Sequence, residues 1–183
     1  MTDTVDTSLT AIYTDLGAFV VSVLGLSAGQ CVQGYPNRVA MPVAGPFVEM
    51  HITRSGRLAT NVDGWDQTNP SPTAMAQTQS IQLAVQLSCY GPQSGDWAAV
   101  LSTLLRDDVA CQALYGAGAT PICQPLYSDD PIRAPLVDEE QQYEDKWIVT
   151  AQLQYNPTVT TVQDFADALG PVGLREVDAF YRP

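Results

Sequence analysis

The run Thr78-Gln-Ser-Ile-Gln-Leu-Ala-Val-Gln-Leu-Ser-Cys-Tyr90 decides the fold class. Ile81, Leu83, Val85, Leu87 and Cys89 recur at every second position. Gln82, Ala84, Gln86 and Ser88 fill the positions between them. Side chains of a strand alternate between its faces, so this period of two predicts a β-strand with one buried and one polar face. Such a strand suits an antiparallel sheet that is covered on one side only. Gly91-Pro92 ends it. A second alternating run, Gln142 to Tyr155, sets Tyr143, Trp147, Val149, Ala151, Leu153 and Tyr155 on one face, and Asn156-Pro157 stops it. A third, Phe47 to Thr53, turns Val48, Met50 and Ile52 the same way.

Outward from these strands the period changes. Leu9, Ile12, Leu16, Phe19, Val20 and Val23 recur at three- and four-residue spacing, which predicts an amphipathic helix. Asp6, Thr7 or Ser8 can cap its start, and Gly25 and Gly29 bracket its end. A short strand at Cys31–Gln33 and a proline-punctuated loop from Tyr35 to Pro42 follow. Residues 60–73 are rich in Asn, Asp, Gly and Pro and read as a long loop or hairpin tip. After Gly91-Pro92, Ser94 or Asp96 caps a second helix with Trp97, Val100, Leu101, Leu104 and Leu105 as its stripe. That helix fades near Gly116 and Gly118. A short strand at Pro121–Tyr127 and a turn at Asp129-Asp130-Pro131 lead to the second long strand. Thr161 is expected to cap a last helix carrying Phe165, Ala168 and Leu169, with an edge strand at Leu174 to Val177 beyond it. The order predicts one α+β domain over residues 1–183, with a mostly antiparallel sheet and helices packed on one face.

The 183 residues are 45% hydrophobic and only 15% charged, so Gln, Thr, Ser and Asn must cover much of the surface. Eight basic against twenty acidic residues give a net charge of -12. That balance argues against clamping of nucleic acid. It suits either plain solubility or a channel wall that repels phosphate. The polar, acidic N-terminus offers no secretory leader, and the apolar run Ala18 to Leu26 is too short for a membrane span. Cys31, Cys89, Cys111 and Cys123 form no CxxC pair, so free thiols in a reducing host cytoplasm are expected.

Signatures of catalysis are missing from the sequence. It contains neither GxSxG nor a phosphate-binding GxxxxGK[ST] loop. His51 is the one histidine and lies on the polar side of its strand, where it reads as a surface or interface residue. A cysteine enzyme would have to pair it with Cys31 or Cys89. The acidic stretch Asp138, Glu139, Glu140, Glu144 and Asp145 could hold a cation only if its carboxylates converged. At the head of a strand it reads better as a solvated or subunit-facing edge. No cofactor or metal is expected. The stripe Tyr143, Trp147 and Tyr155 reads as core under the helices, or as a subunit contact.

Several segments taken in order resemble the phage neck terminator family, which is related in fold and role to tail terminators. They are Gln33-Gly-Tyr-Pro-Asn-Arg-Val-Ala-Met-Pro42 with Gly45-Pro46-Phe47-Val48, Arg57-Leu-Ala-Thr-Asn-Val62, and Cys89-Tyr-Gly-Pro92 leading into Leu104-Leu-Arg-Asp107. Pro125-Leu-Tyr-Ser-Asp-Asp-Pro131, Glu140-Gln-Gln-Tyr-Glu144 with Trp147, and Gln154-Tyr-Asn-Pro-Thr-Val159 complete the set. The resemblance spans about residues 9–178 and carries no catalytic residues. It implies a virion protein that forms a homo-oligomeric ring, six subunits in expectation, on the head-proximal end of the tail tube. The implied partners are the tail tube protein, the head–tail connector and the tail sheath of a contractile tail. Genomic DNA would pass through the lumen without specific binding, and no membrane is involved. Another head–tail connector ring, a stopper or head-completion protein, is the neighbouring reading. Candidate interface residues are Asn37, Arg38, Asp129, Asp130, Glu140, Glu144, Tyr155 and Asn156. Arg38 could pair with a neighbour's carboxylate or brace its own loop.

Overall fold

A computed structural model describes residues 4–5, 8–34, 45–66, 74–115, 121–134, 136–137 and 143–162. Its first strand, β1 (Thr4–Val5), precedes helix α1 (Leu9–Leu24). Of the three candidate caps Ser8 is the one used, its Oγ accepting from the Ala11 amide at 3.2 Å. Gly25 closes the helix in the left-handed conformation, φ 65°, with its N–H on the Val21 carbonyl. Ile12, Leu16, Phe19 and Val20 form the buried stripe.

A single 3-10 turn, Ala28–Gln30, leads into β2 (Cys31–Gln33), which pairs in parallel with β3 (Phe47–Arg57). The predicted Phe47–Thr53 strand therefore runs four residues further. The next strands are β4 (Val62–Asp66), β5 (Ala74–Thr78) and β6 (Ile81–Tyr90). Helices α2 (Ser94–Leu104) and α3 (Asp108–Tyr115) come next. The chain then adds β7 (Gln124–Ser128), β8 (Ile132–Arg133), β9 (Leu136–Val137), β10 (Tyr143–Glu144), β11 (Lys146–Tyr155) and β12 (Thr158–Val162).

The large sheet has the order β2-β3-β6-β11-β7, with β8 also on β11. A smaller sheet has the order β1-β12-β5-β4, and β9 pairs with β10. Every pairing but β2 with β3 is antiparallel. Leu83, Val85, Leu87 and Cys89 lie buried with Val48, Met50, Ala151 and Leu153 beneath the apolar stripes of the helices. The result is the expected α+β class, with mostly antiparallel strands.

Four expectations are corrected. The run from Thr78 to Tyr90 is not one strand, because β5 and β6 part at Gln79-Ser80. Across the break lies Pro157, whose carbonyl accepts from the Gln79 amide at 3.1 Å but which has no N–H to return a ladder bond. The second long strand starts at Lys146, and Tyr143 belongs to the separate pairing of β10 with β9. The second helix does not fade toward Gly116. It stops at Leu104, and α3 restarts at Asp108 with Ala110 and Leu114 buried. Within α2 it is Ala98 and Leu101 that are buried, while Val100 is exposed. Finally, Thr161 does not cap a helix. It lies in β12 opposite Met75, where long-range pairing overrides its capping preference. The last predicted helix and edge strand, and the loop from Tyr35 to Pro42, lie outside the described residues.

Candidate assembly interface

The expected interface residues fall into three separate places. Asp129 and Asp130 form an exposed turn beside the middle of β11. The Asp129 amide donates to the Thr150 carbonyl at 2.9 Å, and Ser102 Oγ reaches the Asp129 carbonyl at 3.4 Å. Asp130 pairs with Arg106 at 2.7 Å, and the same guanidinium donates through Nε to the Ser128 carbonyl at 2.8 Å. This turn is thus braced by the end of α2. Glu144 is exposed at the other extreme, just before β11. Tyr155 ends β11, and Asn156 lies in the short link to β12. Tyr155 is half-buried, and burial raises its phenol pKa. Asn156 is exposed, its Oδ1 accepting from Gln154 Nε2 at 3.2 Å. Ten residues of β11 separate Glu144 from Asn156, on the order of 30 Å of strand, so these residues form no single cluster. Asn37, Arg38 and Glu140 lie outside the described residues.

Other exposed apolar groups carry no signal of their exposure in the sequence. Leu126 and Tyr127 on β7 and Ile132 on β8 gather at one margin of the large sheet, with Ile132 64% exposed. Val62 and Trp65 are exposed on β4, the outer strand of the small sheet, with Val62 69% exposed. Pro125 within β7 marks that strand as an edge, since proline cannot serve a central ladder. Among the described residues these strands end their sheets, and a sheet edge beside apolar side chains is a place where a partner can add. Only the proline was a signal in the sequence. Edge placement depends on which strands pair, and that is set at long range.

The polar face of the large sheet is closed at one end by a compact group. Phe47 stacks on Tyr90 with ring centroids 4.5 Å apart, and Lys146 Nζ lies 4.8 Å from the Tyr90 ring. The Tyr90 hydroxyl donates to Glu49 Oε2 at 2.9 Å. His51 faces the same side, opposite Gln86.

Cys89 is turned the other way. It is fully buried in the core beside Leu87 and Val48, so the sheet itself lies between this thiol and His51. Burial, with the nearby Cys31 adding to it, pushes the Cys89 thiol up to about 12. Burial pushes Cys31 to about 11, and burial with the charge of Asp15 pushes Cys123 to about 12. Nucleophilic attack needs the thiolate, so Cys89 and Cys123 should resist iodoacetamide at pH 8 in the folded protein and react once it is unfolded. Mass spectrometry checks this, and rapid labelling of Cys89 in the folded state would refute it. The sign for stability also follows. Between pH 9 and 12 the unfolded chain loses the Cys89 and Cys123 protons that the folded chain keeps, and between pH 9 and 11 the Cys31 proton. Stability is full below pH 9 and falls above it, by roughly 1.4 kcal/mol per pH unit per buried thiol.

Among the described residues no group of three or more His, Cys, Asp or Glu is placed to hold a metal ion, and no helix is long and apolar enough to cross a membrane. Among curated proteins none matches this chain. Residues 10–175 match the phage neck terminator protein family, which covers nearly all of the elements described above. This α+β chain therefore belongs to the phage neck terminator family, whose members are structural proteins of the virion neck and contact other head or tail components.

Proposed function

We propose that this chain is one subunit of a closed ring, six copies in number, that caps the head-proximal end of the tail tube. The ring stops tube polymerisation and presents the docking surface for the head–tail connector. The tail tube protein lies beneath it, and in a contractile tail the sheath meets its outer side. The whole chain acts as one domain in this role, assembled in the host cytoplasm and carried in the virion. It works by covering surfaces, with no reaction of its own.

The observation that carries this reading is a pair of exposed apolar patches on strands that end their sheets among the described residues: Leu126, Tyr127 and Ile132 at one, Val62 and Trp65 at the other. A ring with rotational symmetry joins two different patches of each subunit, and two unlike margins supply them. The charge supports the same reading. Six copies would carry on the order of -70, so an acidic lumen would let DNA slide without adhesion.

Native mass spectrometry and electron microscopy of the purified chain test the proposal. A closed oligomer is expected. Ile132→Asp should keep the circular dichroism of the folded subunit and shift the population to monomer. A wild-type chain that stays monomeric at every concentration, and is missing from the necks of intact particles, would overturn it.

A further inference from the structure

The polar face of the large sheet holds a depression of about 240 Å³. A bulge in β3 creates it. Up to Ile52 the even-numbered residues Val48, Met50 and Ile52 face the core, but the register shifts between Ile52 and Arg54. One extra residue reverses the alternation that follows. Arg54 therefore comes to lie opposite Ala84, and Gly56 opposite Gln82, on the polar side. The bulge is held on both sides: the Ile52 amide donates to the Tyr13 hydroxyl at 2.9 Å, and Thr53 Oγ1 donates to the Ala84 carbonyl at 3.1 Å.

Gly56 and Ala84 floor the depression because they have almost no side chain. Arg54, Gln82, Gln152 and Tyr127 wall it. Gln82 Nε2 donates to Gln152 Oε1 at 3.1 Å, which steadies one wall. Arg57 closes an end, with Nη2 on Asn61 Oδ1 at 2.8 Å. Arg106 and Arg133 each hold an aspartate, at 2.7 and 2.6 Å. Among the described residues neither Arg54 nor Arg57 has a carboxylate within ion-pair distance.

We propose that this depression receives an acidic side chain from a second copy of this chain. The proposal rests on the ring reading and specifies one of its contacts. A guanidinium fork fits a carboxylate in two parallel hydrogen bonds. The surface that sister copies offer is acidic, twenty acidic against eight basic residues, with Asp107, Asp108 and Asp129 exposed. A cationic hollow on one side and acidic turns elsewhere are two unlike patches, as a closed ring requires. A DNA phosphate is the other available anion. Two arginines on a chain of net charge -12 make a poor phosphate clamp, so the protein carboxylate is favoured.

Two variants of the full chain test this. Gly56→Leu puts a side chain into the hollow at a position where a Cβ meets nothing within 4 Å and the backbone is not at positive φ. Arg54→Glu reverses the charge. Each should raise the concentration at which the oligomer dissociates by about tenfold or more, read by native mass spectrometry, while Arg54→Lys loses less. A wild-type ring that both variants form equally well overturns this contact and leaves the ring reading standing. A wild-type chain that never assembles removes both. Duplex DNA binding that Arg54→Glu abolishes, with assembly unchanged, would also overturn it by assigning the hollow to phosphate.

Discussion

Replacing Leu87 by alanine should cost about 2–5 kcal/mol of stability, while replacing its neighbour Gln86 should cost less than about 1 kcal/mol. The two residues are adjacent in β6 but belong to different environments. Leu87 is 0% exposed and lies between Met50 of β3 and Val149 of β11 in the ladder. Its removal forfeits burial and leaves a cavity that close-packed neighbours cannot fill. Gln86 is half-buried on the polar face, and its Nε2 donates to Ser88 Oγ at 3.0 Å. Truncation there loses one hydrogen bond to the buried Ser88 hydroxyl but opens no apolar cavity, and the net worth of such a bond is about 1 kcal/mol. Urea unfolding should be measured in the Ile132→Asp background, so that assembly adds nothing to the apparent stability. Equal costs at the two positions would mean that the faces of this strand are wrongly assigned.

That contrast marks what can be read from a sequence of this kind. The alternation in β6 and the helical spacing in α1 are local patterns, each repeated over many residues, so both are legible. Three features depend on distant partners and are not. Thr158–Val162 carries a residue type suited to a cap and to a strand, and pairing with Ala74–Thr78 decides for the strand. The break between α2 and α3 has no glycine or proline in the sequence. It follows from Arg106, whose guanidinium is drawn to the Ser128 carbonyl and Asp130 across the fold. The bulge at Thr53 likewise lacks a local signal, being stabilised by Tyr13 of a helix nearly forty residues earlier.

The interface was least legible for the same reason. Asp130 looks like a free turn carboxylate in sequence, yet Arg106 occupies it. Leu126, Tyr127 and Ile132 look like ordinary strand residues until the pairing leaves them on a margin. A contact between copies is written in two distant surfaces, and one chain read along its length displays neither of them as a surface.

Gly91→Ala is expected to destabilise the subunit by about 2–4 kcal/mol, although it adds a single methyl group. Two costs coincide there. Gly91 has φ 104°, a conformation that L side chains rarely adopt. A Cβ would also stand 2.8 Å from Pro46 Cβ and 3.1 Å from Pro46 Cα. Neither segment can easily give way. The Pro46 carbonyl accepts from Gln30 Nε2 at 3.0 Å, and the Gly91 amide donates to the Asp145 carbonyl at 3.0 Å. The Gly91 carbonyl accepts from Ser94 at 3.0 Å and so sets the start of α2. Gly29→Ala is the matched control, since a Cβ there meets nothing within 4 Å and φ is not positive. It should change stability by no more than about 1 kcal/mol, the stiffer unfolded chain acting in its favour. The damage at Gly91 should also reach the assembly, because this junction sits beside the Phe47–Tyr90 stack that closes the polar sheet face. Chemical denaturation of the two variants side by side decides the matter, and a Gly91→Ala protein as stable as Gly29→Ala would show that the junction yields and is not rigid.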